Sequence, residues 1–187
     1  MVRDYVRLLP DDPQFNAFLT EFQAEPERAA AVLAAAYLDD LLSQLLRASF
    51  VDNATVVGDL LGDLNALGSF RARADTAYAA GWISRQEHAD LTRIRKIRNK
   101  FAHRHQDISF DDQSVRDHCA AFEVIRERFD AEPNLQRAYP DTARDKFNLA
   151  TALLAYYLIR RLHHATRPQG LQPALWPRYD LPGETRA

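Results

Sequence analysis

Apolar residues recur along most of this chain at intervals of three and four, and alternation with a period of two is scarce. That pattern predicts helices, because residues three and four apart share one face of a helix. Phe15, Phe18, Leu19 and Phe22 predict a short helix over 13–24. Pro26 suits the first turn of a second helix, where its missing N–H costs nothing. That helix should run to about Ser49, with Ala34, Leu38, Leu41, Leu42, Leu45 and Leu46 as its apolar stripe. Residues 53–67 read as a short helix and a turn, with Asp59 and Asp63 sharing a helix face.

Ser69 can cap a helix that buries Phe70, Ala74, Ala77 and Tyr78 and stops at Gly81. Ser84-Arg85-Gln86-Glu87 has the form of a capping box, in which a serine and a glutamate satisfy each other's backbone N–H groups. The helix it opens carries Leu91, Ile94, Ile97 and Phe101 and should end near His103. Asp111 or Asp112 can cap another, with Val115, Cys119, Phe122, Ile125 and Phe129 on one face. A long last helix follows Pro140, using Phe147, Ala150, Leu154, Tyr157, Leu158 and Arg161. The fold class expected is all-α: a compact bundle of five to seven helices over residues 1–167. Residues 168–187, with Pro168, Pro173, Pro177 and Pro182, read as an irregular tail.

Composition narrows the function. The chain is 47% hydrophobic and 27% charged, as a folded globule is. Its net charge of −2 gives the whole molecule no general affinity for polyanions, so RNA contact would need a local basic patch. Cys119 is the one cysteine, which excludes an intrachain disulfide and suits a reducing cytoplasm. The segment Ala29 to Leu46 is interrupted by Asp39 and Asp40, and no membrane span is expected. No glycine-rich phosphate cradle occurs, so no nucleotide cofactor is expected. His103, His105, Asp107 and His118, like His163 and His164, fit no standard zinc spacing, and no metal is expected. No helix-turn-helix with a polar recognition helix stands out, so direct reading of DNA sequence is not expected.

Candidate chemistry is concentrated in one stretch. Between Leu91 and Gln106 the chain carries Arg93, Arg95, Lys96, Arg98, Lys100 and Arg104 and no acid, with His103 and His105 at the end. Most of these charges could simply be a solvated helix end that complements the helix dipole. Arg98 is different, because it falls about 40° from the centre of the apolar stripe. A charge there must be paired or must face a crevice. Asp39 and Asp40 are candidate partners, and a functional arginine at a cleft or dimer interface is the other reading. Arg98 and His103 would diverge by about 140° on a regular helix, so a shared site requires the helix to end or unwind near Ala102.

Arg98-Asn99-Lys100-Phe101-Ala102-His103 resembles the R-N-x-x-x-H form of the HEPN superfamily motif. That resemblance implies an all-helical, often dimeric domain and, in many members, a metal-independent endoribonuclease. Arg98 and His103 would then be catalytic, with Asn99 as a polar helper. Such chemistry is coherent, since histidine titrates near neutral pH and a guanidinium stabilises a phosphorane. A wider series resembles the mannitol operon repressor family more closely. It comprises Leu67-Gly68-Ser69-Phe70, Arg71 to Tyr78, Gly81-Trp82-Ile83-Ser84, Leu91, Ile94 to His103 and Phe110-Asp111-Asp112, within residues 30–125. This second resemblance implies a helical regulator that acts through protein partners. The first expectation is therefore a cytoplasmic regulator, as a homodimer with a protein partner. The alternative is a ribonuclease of a toxin or defence system. In either, Arg95, Lys96, Lys100, Arg104 and His105 would bind the partner or RNA.

Overall fold

The computed structural model describes residues 13–103, 108–131 and 139–165. Arg104, His105 and the tail 168–187 lie outside the described residues. Among the described residues there are only helices: α1 (Pro13–Ala24), α2 (Glu27–Ser49), α3 (Ala54–Leu61), α4 (Phe70–Ala79), α5 (Arg85–His103), α6 (Gln113–Ala120), α7 (Glu123–Ala131) and α8 (Ala143–His164).

α2 is the central helix, packed chiefly on α5 and α8 and also on α4 and α1. By length and composition it could cross a membrane. Here its stripe from Ala30 to Leu46 is buried in the core instead. Alanines occupy the stripe in its first half and leucines in its second. α6 and α7 cover α8 and α5.

Local signals in the sequence place most of the helix ends. The Asn53 side chain accepts from the Val56 N–H (3.1 Å) and opens α3, and Ser69 does the same for α4 through Ala72 (3.1 Å). α4 ends on Gly81, at φ +74°, where the Trp82 N–H reaches the Ala77 carbonyl and the Gly81 N–H that of Tyr78. This is the double bond of a glycine-terminated helix, and a residue with a β-carbon would be strained there. Thr142 caps α8 and in turn donates to Asp145.

Four local expectations change. Tyr78, expected on the buried face of α4, is 42% exposed and stacks on His88 of α5 at 4.8 Å, while Arg73 is buried on α4. α3 stops at Leu61, so Asp63 lies in the following turn and shares no helix face with Asp59. Asp112 precedes α6 but gives its carboxylate to the Ser109 N–H (2.7 Å) rather than to the helix. The single helix expected over Val115 to Phe129 is divided at Ala121 and Phe122 into α6 and α7. The cause lies on α5. The Asp90 carboxylate accepts from the Glu123 and Val124 N–H groups, each at 2.8 Å, and thereby caps α7 from a different part of the chain. Counted as one broken helix, α6 and α7 bring the described helices to seven.

A run of phenylalanines holds the C-terminal end of α5. Phe22, Phe147, Phe110 and Phe101 follow one another with ring centroids 6.1, 5.0 and 5.1 Å apart. The Phe110 N–H also donates to Glu27 at the start of α2 (3.0 Å). Arg144 lies over the Phe22 and Phe110 rings and donates to the carbonyls of Phe22 and Glu25. The end of α5 is thus fixed beside the start of α2.

Candidate functional site

α5 has two halves of different character. Its first half is tied inward. Ser84 Oγ accepts from the Glu87 N–H (3.2 Å) and the Ser84 N–H donates to Glu87 Oε2 (2.6 Å), completing the capping box. Glu87 is buried, and both of its oxygens also accept from Arg161 of α8, at 2.5 and 2.9 Å. A two-pronged pair of this kind fixes both orientation and distance. Asp90 is fully buried and pairs with Arg93 in addition to capping α7. Burial pushes its carboxyl above the ordinary carboxylate value, against the opposing hydrogen bonds from Val124, Arg93 and Glu123. Arg93 and Arg85 also reach Glu123 (3.2 Å each). Arg93 therefore leaves the basic patch and joins the interior network.

The second half of α5 faces outward. Arg95, Arg98, Asn99 and Lys100 are half-buried, and Lys96, Ala102 and His103 are exposed. Among the described residues none of the side chains of Arg95, Lys96, Arg98, Asn99, Lys100 or His103 makes a hydrogen bond or ion pair. Asp39, expected as a partner for Arg98, instead binds Arg73 of α4 at 2.8 Å, while Arg73 also donates to the Leu61 carbonyl (2.9 Å). Asp40 accepts from Gln44 one turn along α2 (2.7 Å). Arg98 thus lies half-buried at the edge of the stripe and pairs with neither Asp39 nor Asp40.

His118 of α6 belongs to the same face. It is held below the ordinary imidazole value, first by burial and then by the Lys100, Lys96 and Arg93 cations, with Asp117 opposing. Lys96 and Lys100, four residues apart, thus form a positive column beside α6. Sequence reading had set His118 among the metal candidates and not here. The helical spacing of Lys96 and Lys100 is visible in the sequence, but nothing local places α6 beside them.

Arg98 and His103 are not brought together within one chain. α5 stays helical through His103 because the buried Phe101 ring anchors its last turn. Arg98 flanks the buried stripe while His103 is exposed, about 140° around the helix. Among the described residues no three His, Cys, Asp or Glu side chains gather as metal ligands would. Cys119 is buried, and its thiol is pushed up to about 12, so it packs and does not attack.

Comparison with known proteins places this geometry. A family model described as Mannitol repressor matches residues 20–155. The fold is similar to that in the X-ray structure of the MtlR–HPr complex from Escherichia coli, at 18% identity and a TM-score of 0.63, over 79% of this chain and 99% of that chain. It is also similar to the crystal structure of a possible transcriptional regulator, YggD, from Shigella flexneri, at 21% identity and a TM-score of 0.57, over 81% of this chain and 98% of that one. No curated protein sequence matches the chain. At these identities the two structures speak for the fold, while the family model spans most of the sequence: the chain belongs to the mannitol repressor family.

Proposed function

We propose that this chain is a regulator of the mannitol repressor type that acts by docking onto a protein partner, with the outer half of α5 and the adjoining edge of α6 as the docking face. The observation that carries the reading is the row Lys96, Lys100 and His103, which lie within about 60° of one another around α5. It has no acid on it and no partner among the described residues, while the acids of the same helix, Glu87 and Asp90, are spent inside the fold. Exposed like charges repel one another and stay hydrated, so such a row is unfavourable in isolation. It becomes useful when an acidic surface approaches, because complementary fields speed encounter and select the partner.

The Escherichia coli relative was crystallised as an MtlR–HPr complex, which makes the HPr protein of the host organism the partner to test. Regulation without direct reading of DNA is part of this proposal, and the net charge of −2 supports it. RNA cleavage is not, because Arg98 and His103 face apart within the chain. The test is calorimetric titration with that HPr, beside incubation with RNA in EDTA. Binding that weakens as salt rises is expected, together with its loss in Lys96→Glu/Lys100→Glu at unchanged melting temperature, and intact RNA. No binding, or binding indifferent to the charge reversal, would remove α5 as the docking face. RNA cleavage abolished by His103→Ala would replace a regulator with a nuclease.

A further inference from the structure

At the C-terminal end of α8 the surface falls into a recess of about 420 Å³, lined chiefly by Leu45, Ser49, Gly81, Trp82, Arg161 and His164. A second recess of about 270 Å³ adjoins it, sharing Arg161 and His164 and adding Tyr157 and Arg160. Together they make one cleft of the size that takes a small organic molecule. Three helix ends meet there. α2 ends at Ser49, α8 ends at His164, and α4 stops just before Gly81. The positive φ of Gly81 turns the chain into Trp82, whose ring lies 5.7 Å from that of Phe50.

The larger recess is apolar where Leu45 and Trp82 line it, and the smaller one is basic. Among the described residues no acid lines either. Glu87 takes two of the five N–H donors of Arg161, at 2.5 and 2.9 Å, and leaves three. It also holds the guanidinium in place, so little side-chain freedom is lost when a ligand arrives. Arg160 donates to the Tyr156 hydroxyl (3.1 Å) and lies over the Tyr156 ring. Glu87 offsets the charge of Arg161, but no described acid pairs with Arg160 or His164. Ser49 Oγ donates to the Leu45 carbonyl (2.8 Å), so its proton is already engaged. Bases in a last turn complement the helix dipole, and that accounts for Arg161, His163 and His164 at the end of α8. It does not account for a tryptophan lining an open recess beside them.

We propose that this cleft binds a small organic oxyanion with a flat apolar body. The oxyanion, a carboxylate or a phosphate monoester, sits in the smaller recess and takes donors from Arg160, Arg161 and His164. The body lies in the larger recess against Trp82. An inorganic ion alone would leave the tryptophan unused, and an uncharged aromatic would leave the bases unused. The cleft is separate from the docking face. Arg161 is tied to Glu87 in the first turn of α5, and Lys100 lies about 20 Å further along that helix. The inference goes beyond the partner reading, and either can fail without the other.

The test uses the full chain carrying Trp176→Phe, which leaves Trp82 as its one tryptophan. Phenyl phosphate and benzoate are the probes, with inorganic phosphate and benzyl alcohol as the separate halves of such a ligand. Binding is read from Trp82 fluorescence and from the Trp82 indole N–H in a proton–nitrogen correlation spectrum. At least one oxyanion probe should bind saturably, about tenfold or more tighter than either half. The tighter of the two probes then assigns the preferred oxyanion. Arg160→Glu/His164→Glu reverses the charge at two exposed positions, and should weaken binding about tenfold or more at unchanged melting temperature. Four results would each overturn the inference: no saturable response to either probe, equal binding of the halves, indifference to the charge reversal in a folded variant, or shifts at the Lys96 and Lys100 amides in place of Trp82.

Discussion

Replacing Asp90 with alanine tests the account of why α6 and α7 are separate helices. In the native chain the carboxylate takes the Glu123 and Val124 N–H groups at 2.8 Å and pairs with Arg93, with no solvent exposure of its own. Truncation leaves two N–H groups at a helix start without an acceptor. A buried donor left unmade costs about 1–3 kcal/mol, and loss of an N-cap about 0.5–2 kcal/mol. These describe overlapping losses and do not add. Arg93 retains Glu123, so no cation is orphaned. Against the losses stands the relief of a buried charge. The raised Asp90 pKa means that burial costs the carboxylate more than its bonds return. The net expectation for Asp90→Ala is a loss of about 1–3 kcal/mol. Asp90→Asn keeps the shape and one accepting oxygen, and should lose less. Urea unfolding followed by circular dichroism gives both values, and amide exchange at Glu123 and Val124 reports the cap directly. The pH dependence has a definite sign. Because the folded pKa is raised, the native state holds the proton more readily than the unfolded chain. Stability attributable to Asp90 therefore falls as pH rises from the ordinary carboxylate value through the folded pKa, and Asp90→Asn should lack that slope. A loss below about 1 kcal/mol for Asp90→Ala, or unchanged exchange at the two amides, would refute the capping argument.

Two further outcomes follow from the same interior. Arg161→Met leaves the buried Glu87 carboxylate with only its capping-box bonds, and thermal or urea unfolding should show a loss of about 3 kcal/mol, reduced in Arg161→Met/Glu87→Gln. The Cys119 thiol, pushed up to about 12 by burial, should resist a disulfide reagent at pH 8 in the folded protein and react at once when denaturant is added.

Much of the fold was legible because helix punctuation is local. Ser69, Ser84 with Glu87, and Gly81 act on groups within a few residues of themselves, so the starts and stops they predict appear in the structure. Apolar spacing likewise named the buried face of α5, with Leu91, Ile94, Ile97 and Phe101 all fully buried. The candidate site was legible only in part. The basic run was plain, but its membership was not, since Arg93 turned inward and His118 joined from α6.

The sequence by itself determined the all-helical class, most helix boundaries, the positions that face the core and the family. Periodicity and capping depend on neighbours along the chain, and these are written in order. Only the tertiary structure decided what those faces meet: Asp39 with Arg73 and not Arg98, Glu87 with Arg161, and Asp90 with the start of α7. A buried charge takes whichever opposite group the packing brings within reach, and residues 34 or 74 positions away in sequence carry no local sign of that approach.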